Sequence, residues 1–342
     1  MSSVVLRSLA STRGSDAGTL ATNPMSGADA DMRHILDILR SMEPRPIEQG
    51  TAAEARAQPT LARALNQLLH GAESEPGVGM ELRMIPGPAG DIRARVYRPA
   101  EADPTEPLPM ILYFHGGGWV IGDFDHSDTT PRALSARCRA LVVAAHYRQA
   151  PEFKFPAAHE DAHAAWAWML EHAAALGGDA TRSAIVGEDA GGNLAVDVAV
   201  AARKAGKALP RHLVLVSPMA GTDFSLVSHV ENMASFPIGT PAIRWFLKQA
   251  TRNGKALSDP RLNLVGRGDL GGLPPTTIIL AEIDPLRSEG EALADTLRRS
   301  GVWVDCTVYD GVTQGFFGLA RVVNKAMFAM GQAARNLRES LA

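Results

Sequence analysis

The spacing of apolar residues along the chain changes near residue 80. Before it, apolar side chains recur every three or four residues over residues 32–42 and again over residues 61–69, which is the spacing of amphipathic helices. Two helices are therefore predicted ahead of any strand. We interpret residues 29–79 as a helical cap segment that follows a flexible or variable N-terminal tail over residues 1–28.

After residue 80, continuous apolar runs alternate with helical stretches. Two runs, at residues 80–85 and 91–97, flank a turn rich in proline and glycine and predict a hairpin. The later runs lie at residues 110–114, 141–145, 183–186, 213–217, 277–280 and 303–308, and the helical stretches at 158–176, 190–204, 287–300 and 320–337. Continuous runs are typical of strands buried on both faces of a parallel sheet, so residues 80–342 are predicted to form a doubly wound α/β core. The polar residues 222–258, with one helix over 241–250, are predicted to add to the lid.

Composition narrows the class of protein and its partners. A chain of 342 residues with 46% hydrophobic and 21% charged residues can bury one large core, as a soluble globular protein does. The net charge of -3 and the lack of a Lys/Arg-rich run argue against nucleic acid as a partner. No apolar run reaches the roughly 18–20 residues of a membrane span. Two cysteines give no disulfide framework and favour the reducing cytoplasm, and homodimer formation stays open.

Glycine-rich segments follow two of the predicted strands. At residues 115–119 the sequence is HGGGW, and such a glycine run lets backbone N–H groups approach a ligand oxygen, as in an oxyanion hole. At residues 187–191 the sequence GEDAG has the layout of the G-x-S-x-G nucleophile elbow, with Asp189 in the nucleophile position. Asp284 follows a later strand, and Gln314 lies beyond it where a triad histidine is expected. The order of oxyanion hole, nucleophile, acid and base is that of α/β-hydrolases.

Several further motifs complete this pattern. They lie at residues 147–152, 155–158, 273–275, 284–290 and 315–318. Together with the glycine-rich segments they resemble the hormone-sensitive-lipase-like group of α/β-hydrolases, which includes bacterial carboxylesterases, and the resemblance spans roughly residues 80–340. It implies an α/β-hydrolase fold, with a mostly parallel central sheet flanked by helices and an N-terminal helical cap. In that family the positions of Asp189 and Gln314 hold the catalytic serine and histidine.

The motifs and the resemblance together name a candidate site. The predicted catalytic residues are Asp189, Asp284 and Gln314. The predicted oxyanion-hole donors are the N–H groups of Gly116, Gly117 and Ala190, and the predicted substrate-binding residues are Trp119, Glu188, His126 and Phe316. We expect the Gln314 side chain to donate one N–H to each of the two carboxylates and to fix both. No cofactor and no metal are predicted, because the H-E-x-x-H match at residues 159–163 has no evident third zinc ligand.

The unusual residue types leave three functional hypotheses open. A Ser-His-Asp hydrolase needs a nucleophile and a base that takes its proton, so an efficient serine esterase is not expected. The leading hypothesis is a cofactor-free enzyme in which Asp189 performs acid/base chemistry on a small carbonyl compound, as a lyase, dehydratase, isomerase or cyclase does. The alternative is a catalytically inactive pseudo-hydrolase that binds a small ligand. The third is a hydrolase with Asp189 as covalent nucleophile. Gln314 cannot accept a proton and no histidine follows His229, so His126, in the loop after the glycine run, is the one stand-in base that the sequence offers.

Overall fold

Three short helices lead into the sheet. The structure is a computed structural model that describes residue 25 and residues 27–71, 75, 77–103 and 105–342, so nearly all of the predicted N-terminal tail lies outside the described residues. The helices are α1 (Ala30–Ser41), α2 (Ala52–Arg56) and α3 (Leu61–Leu68). One face of α1 is buried and carries the apolar residues whose spacing predicted it, Met32, Ile35, Leu36 and Leu39. The short helix α2, which the sequence pattern did not predict, begins with a capping box formed by Thr51 and Glu54.

In the part of the chain that the structure describes, eight strands follow these helices and form one sheet. They are β1 (Val78–Gly87), β2 (Gly90–Pro99), β3 (Leu108–Phe114), β4 (Leu141–Ala145), β5 (Gly178–Glu188), β6 (Leu213–Val216), β7 (Thr276–Ile283) and β8 (Val304–Thr313). Their order across the sheet is β1-β2-β4-β3-β5-β6-β7-β8. Strand β2 runs antiparallel to both β1 and β4, and every other neighbouring pair is parallel. The α/β-hydrolase fold with a mostly parallel sheet is thereby confirmed.

The remaining helices surround the sheet. They are α4 (Phe124–Ser127), α5 (Thr129–Cys138), α6 (Ala157–Glu171), α7 (Ala190–Lys204), α8 (Val227–Glu231), α9 (Thr240–Ala250), α10 (Arg287–Arg299) and α11 (Asn324–Leu341). Helix α7 has the bounds predicted from the sequence. The helix predicted over residues 320–337 instead begins at Asn324, because the Asp31 carboxylate of α1 accepts a hydrogen bond from the Asn324 N–H (2.9 Å) and fixes the start there. In the described parts of the chain, no helix is long and apolar enough to cross a membrane.

The two faces of the sheet pack against separate apolar cores. Successive residues of β5 alternate between them, with Ile185 in one core and Val186 in the other. Helices α6, α7 and α10 contribute to the first core, whereas α1, α5 and α11 contribute to the second. Because both faces are covered, a ligand can reach the sheet only at its edge, where the parallel strands end. The segments that follow these strand ends hold His115, Asp189, Ser217, Asp284 and Gln314.

Candidate active site

Asp189 occupies a sharp turn between β5 and α7. Its backbone has φ 52° and ψ -116°, a region that few residues other than glycine adopt. The turn is packed tightly, since a Cβ on Gly187 would clash with the Gly191 carbonyl and a Cβ on Gly191 would clash with the Phe114 carbonyl. The Asp189 N–H donates to the Val216 carbonyl of β6 (2.8 Å). The glycines provide the space that this turn requires, and the sheet holds the strained residue in place.

One carboxylate oxygen of Asp189 is held by the glycine run after β3. Its Oδ2 accepts hydrogen bonds from the Gly117 N–H (2.7 Å) and the Gly118 N–H (2.9 Å). Its Oδ1 is buried and has no hydrogen-bond partner among the described residues. Gly116, which was predicted as a donor, lies against the side chain instead, since a Cβ on it would sit 3.0 Å from Asp189 Cβ. The carboxylate therefore fills the predicted oxyanion position with one oxygen and keeps the other oxygen unpaired.

Opposing effects set the proton affinity of Asp189. Burial raises its pKa from 3.8 to about 6. The N–H groups of Gly117, Gly118 and Ala190 act to lower this pKa, whereas the negative charge of Glu289 acts to raise it. At neutral pH the carboxylate is mostly ionised, and it can exchange a proton within the physiological pH range.

Asp284 is a second buried carboxylate, placed just after β7. Its side chain is fully buried, and its Oδ1 accepts a hydrogen bond from the Leu286 N–H (2.8 Å). Its Oδ2 finds no hydrogen-bond partner within the described parts of the chain. Burial raises the pKa of Asp284 to about 7; the Ser217 hydroxyl and the Leu286 N–H act to lower it. The charges of Asp189 and Glu289 act to raise it, so the two carboxylates sense each other electrostatically.

Gln314 does not link the two carboxylates. It follows β8, and its backbone N–H donates to the Ile283 carbonyl (3.4 Å). The expected side-chain bridge is not formed, because Asp189 and Asp284 each use one oxygen for backbone N–H groups and leave the other oxygen unpaired within the described residues. The glycine run competes for Asp189 and turns its carboxylate toward the end of β3. Gln314 instead contributes to the wall of a cavity beside Asp189.

This cavity has a volume of about 560 Å³. Three parts of the chain form its walls. The segment before the sheet contributes Leu39, Pro46, Ala55, Arg56, Leu61 and Ala62; the strand-end segments contribute Gly116, Gly117, His126, Glu188, Asp189, Ser217 and Gln314; and the later segment contributes Met233, Phe236, Ile238, Ala242 and Phe246. A cavity of this size accommodates a small organic molecule.

Two of the predicted substrate-binding residues lie on this wall. Glu188 accepts a hydrogen bond from the Tyr113 hydroxyl (2.7 Å), and burial raises its pKa above the usual value. His126 lies on α4, with its Nδ1 2.8 Å from an Asp123 carboxylate oxygen. Both residues were singled out because they sit close to the two glycine-rich segments, and the structure brings them together at the cavity.

The other two predicted substrate-binding residues lie in the apolar cores. Trp119 is 4% exposed and stacks on His159, with ring centroids 6.2 Å apart. The chain reverses at Gly118 and Trp119, whose φ angles of 57° and 61° turn the indole away from the cavity. Phe316 is fully buried and packs near Tyr309. Neither aromatic ring lies on the cavity wall.

Ser217 is a residue at the site that the sequence analysis did not identify. It is the first residue after β6, it is 3% exposed, and it contributes to the cavity wall beside Asp189. Its φ of 43° is unusual for serine, and its Oγ is buried with no hydrogen-bond partner in the chain as described. The sequence did contain an indication of this role, because Ser217 ends the apolar run that predicts β6. Residues at the ends of such buried parallel strands lie at the carboxyl edge of the sheet, where ligands bind.

The H-E-x-x-H match joins two helices. The Nε2 atom of His159 on α6 lies 3.0 Å from Asn193 Oδ1, and the Nε2 atom of His163 lies 2.9 Å from Asp197 Oδ2. Both partners belong to α7, so these histidines connect α6 to α7. Within the described residues, no group of three or more His, Cys, Asp or Glu side chains is arranged to hold a metal ion.

Known proteins with this fold are similar to the chain over most of its length. A protein-family profile described as alpha/beta hydrolase fold matches residues 111–318. The chain is 37% identical to a carboxylesterase of Mycobacterium tuberculosis, NlhH, over 82% of this chain and 89% of the relative. It is 32% identical to an ethyl acetate hydrolase of Pseudomonas putida, over 86% of this chain and 92% of the relative. A solved esterase of Pyrobaculum calidifontis superposes with a TM-score of 0.83 at 34% identity, covering 92% of this chain and 99% of that one.

These findings correct the functional hypotheses. Relatives that are 32–40% identical over most of this chain are named as esterases or ester hydrolases. They point to ester hydrolysis, so the leading hypothesis of lyase-type acid/base chemistry and the alternative of ligand binding by an inactive protein are both wrong. The error came from giving the residue types at positions 189 and 314 more weight than the surrounding motifs. The chain belongs to the α/β-hydrolase family, in the group that contains the carboxylesterases.

Proposed function

We propose that this protein hydrolyses carboxylic esters and that Asp189 is its reacting carboxylate. The observation that carries the proposal is the asymmetry of this carboxylate: Oδ2 is held by the N–H groups of Gly117 and Gly118, whereas Oδ1 lacks a hydrogen-bond partner among the residues described. The names of the relatives support the reaction class. The cavity of about 560 Å³ beside Asp189 supports a small ester as the substrate.

In the first step, Asp189 Oδ1 attacks the carbonyl carbon of the ester. The alcohol-derived oxygen leaves with its electron pair, and a mixed anhydride forms between the acyl group and Asp189. A carboxylate readily expels only a leaving group that is itself weakly basic, so we expect esters of phenols or enols as substrates rather than simple alkyl esters. Gln314 on the cavity wall offers an amide donor for the substrate carbonyl.

In the second step, water attacks Cγ of Asp189. Negative charge then develops on Oδ2, which already lies between the N–H groups of Gly117 and Gly118, so the donors need no reorganisation. The bond from Cγ to the bridging oxygen breaks, and the acid product leaves as a carboxylate. Asp189 is restored with one oxygen taken from water.

The test follows that oxygen. Wild-type protein is incubated with p-nitrophenyl acetate and butyrate in water enriched in oxygen-18, and the peptide that contains Asp189 is weighed by mass spectrometry. We expect label in this peptide only when substrate has turned over. Asp189→Asn removes the attacking oxygen, and it should lower kcat by about 100-fold or more.

A double variant distinguishes two reasons for a lack of activity: that Asp189 does not act as a nucleophile, or that the cavity does not bind esters. Asp189→Ser combined with Gln314→His places the residue types of a serine esterase at the two positions, and we expect it to hydrolyse the same esters without labelling the peptide. If this variant is active and the wild type is not, the role proposed for Asp189 is refuted while the pocket remains ester-binding. Turnover by the wild type without label would refute the covalent route alone.

A further inference from the structure

We infer that Ser217 relays the proton of the hydrolytic water to Asp284, and so supplies the base function that Gln314 cannot provide. This inference rests on the proposed ester hydrolysis and concerns its second step. Ser217 lies on the cavity wall, whereas Asp284 is fully buried and does not line the cavity. Asp284 therefore reaches a water molecule in the cavity only through an intervening group.

Backbone hydrogen bonds fix Ser217 between the two carboxylates. On one side, the Asp189 N–H donates to the Val216 carbonyl (2.8 Å) and the Met219 N–H donates to the Asp189 carbonyl (3.0 Å). These two bonds bracket Ser217 along the chain. On the other side, the Ser217 N–H donates to the Ile279 carbonyl of β7 (2.8 Å), and β7 is the strand that leads to Asp284.

The Ser217 hydroxyl is close enough to Asp284 to lower the pKa of that carboxyl, yet the two do not form a hydrogen bond of normal geometry, so three polar atoms of Ser217 and the two carboxylates stay unpaired among the described residues. Asp189 Oδ1, Ser217 Oγ and Asp284 Oδ2 are all buried, and none has a hydrogen-bond partner in the described chain. Buried polar atoms in proteins are nearly always paired, and exceptions call for an explanation such as a water, an ion or a catalytic role. The left-handed φ of 43° at Ser217 is an independent sign, since strained residues cluster at functional sites.

Asp284 is a suitable final acceptor because its carboxylate is free to take a proton. Burial raises its pKa to about 7, and the negative charges that face it, those of Asp189 and Glu289, act in the same direction. Glu289 is not a competing base. Its Oε2 accepts from the Ala220 and Gly221 N–H groups (2.9 and 2.8 Å), and its Oε1 lies 2.8 Å from His229 Nε2.

The proton transfer balances with the second step. The water oxygen bonds to Cγ of Asp189 while its proton moves to Ser217 Oγ. The proton that Ser217 held moves to Asp284 Oδ2, and the acyl group leaves as a carboxylate. The second proton of the water stays on the oxygen that is now bonded to Cγ of Asp189. Asp284 and Asp189 then each release a proton to solvent, which returns Ser217, Asp284 and the Asp189 carboxylate to their starting states.

The test is Ser217→Gly, examined by rapid mixing with p-nitrophenyl acetate. Glycine removes the hydroxyl and accepts a φ of 43° without strain, so the fold should be retained. The first step releases p-nitrophenolate as the mixed anhydride forms, so its rapid initial release, the burst, reports that step alone. We expect the burst to persist in the variant, because the first step does not use Ser217. The steady-state rate should fall at least about 10-fold, and the rise of this rate with pH near 7 should disappear.

Ser228→Ala is the matched control. Ser228 is also fully buried and lies close to Asp284 in the chain fold, with its hydroxyl donating to the Pro285 carbonyl (2.7 Å), but it is not on the cavity wall. Its burst and pH profile should match the wild type. A Ser217→Gly variant with wild-type steady state and pH profile, or one that loses the burst as well, would refute the relay. Wild-type protein without ester turnover would refute the proposed function, and the relay with it.

Discussion

Asp189 and Asp284 are buried carboxylates that are stabilised by backbone N–H groups. Gly117 and Gly118 donate to the first, and Leu286 donates to the second. These bonds do not offset burial fully, because both pKa values remain raised, to about 6 and about 7. A raised carboxylate pKa means that the folded state binds a proton more tightly than the unfolded state, so ionisation at neutral pH weakens the fold.

Replacing Asp284 by asparagine should therefore stabilise the protein at high pH. Asp284 is protonated in both states below about pH 4, and its contribution to stability is lost as pH rises through its folded pKa of about 7. Asp284→Asn keeps an oxygen for the Leu286 N–H and avoids that loss. We expect the gain in the free energy of unfolding to grow from pH 4 to pH 7 and to level off at roughly 2–4 kcal/mol. Urea unfolding at pH 5, 6, 7 and 8 measures it; a gain that does not vary with pH would contradict the raised pKa.

Helix α2 owes its position to contacts that are distant in sequence. With five residues it is too short to be stable alone. Arg56 anchors it, since the Nε atom donates to the Val120 carbonyl and an Nη atom donates to the Ala150 carbonyl (both 2.8 Å). Arg56 also pairs with Glu152 (2.7 Å), and both Arg56 and Ala55 contribute to the cavity wall.

Removing this anchor should loosen one wall of the cavity. Arg56→Ala leaves two carbonyls and the Glu152 carboxylate without their donor. We expect KM for p-nitrophenyl butyrate to rise at least about fivefold, with a smaller change in kcat, since the hydrogen-bond partners of Arg56 are Val120, Ala150 and Glu152 rather than Asp189, and the change acts on binding. Arg63→Ala on α3, an exposed position, is the matched control and should leave KM unchanged. Equal KM values for the two variants would mean that α2 is held by other contacts.

Helices and strands that are determined by their own sequence pattern were predictable. Those that depend on contacts with residues far away in the sequence were not. Helix α7 and the buried strands follow from apolar spacing within the element itself, and α7 was predicted with its observed bounds. Helix α2 depends on Arg56, and the start of α11 depends on Asp31, so neither appears in a local pattern. The same division holds at the site. The glycine motifs located Asp189, whereas Ser217 acquires its place only through the pairing of β6 with β5 and β7.

The cavity is a property of the whole molecule. The sheet places the reacting groups at the carboxyl ends of its parallel strands. Without further segments, this edge of the sheet would be open to solvent. Residues 39–62 and residues 233–246 close it from two sides, and both belong to segments interpreted as cap and lid. The sheet therefore positions the reacting carboxylate, whereas the cap and lid segments, which are far from it in sequence, determine the shape of the substrate that fits.

Filling the cap side of the cavity should change which esters are accepted while leaving the reacting groups in place. Ala62 on α3 is half-buried and lies on the wall. Ala62→Trp adds a large side chain there, so kcat/KM for p-nitrophenyl octanoate should fall about 10-fold or more, whereas the value for the acetate should change less than about threefold. Ala53→Trp on the exposed side of α2 is the matched control. An equal loss for both esters would mean that acyl chains extend toward the segment of residues 233–246 instead.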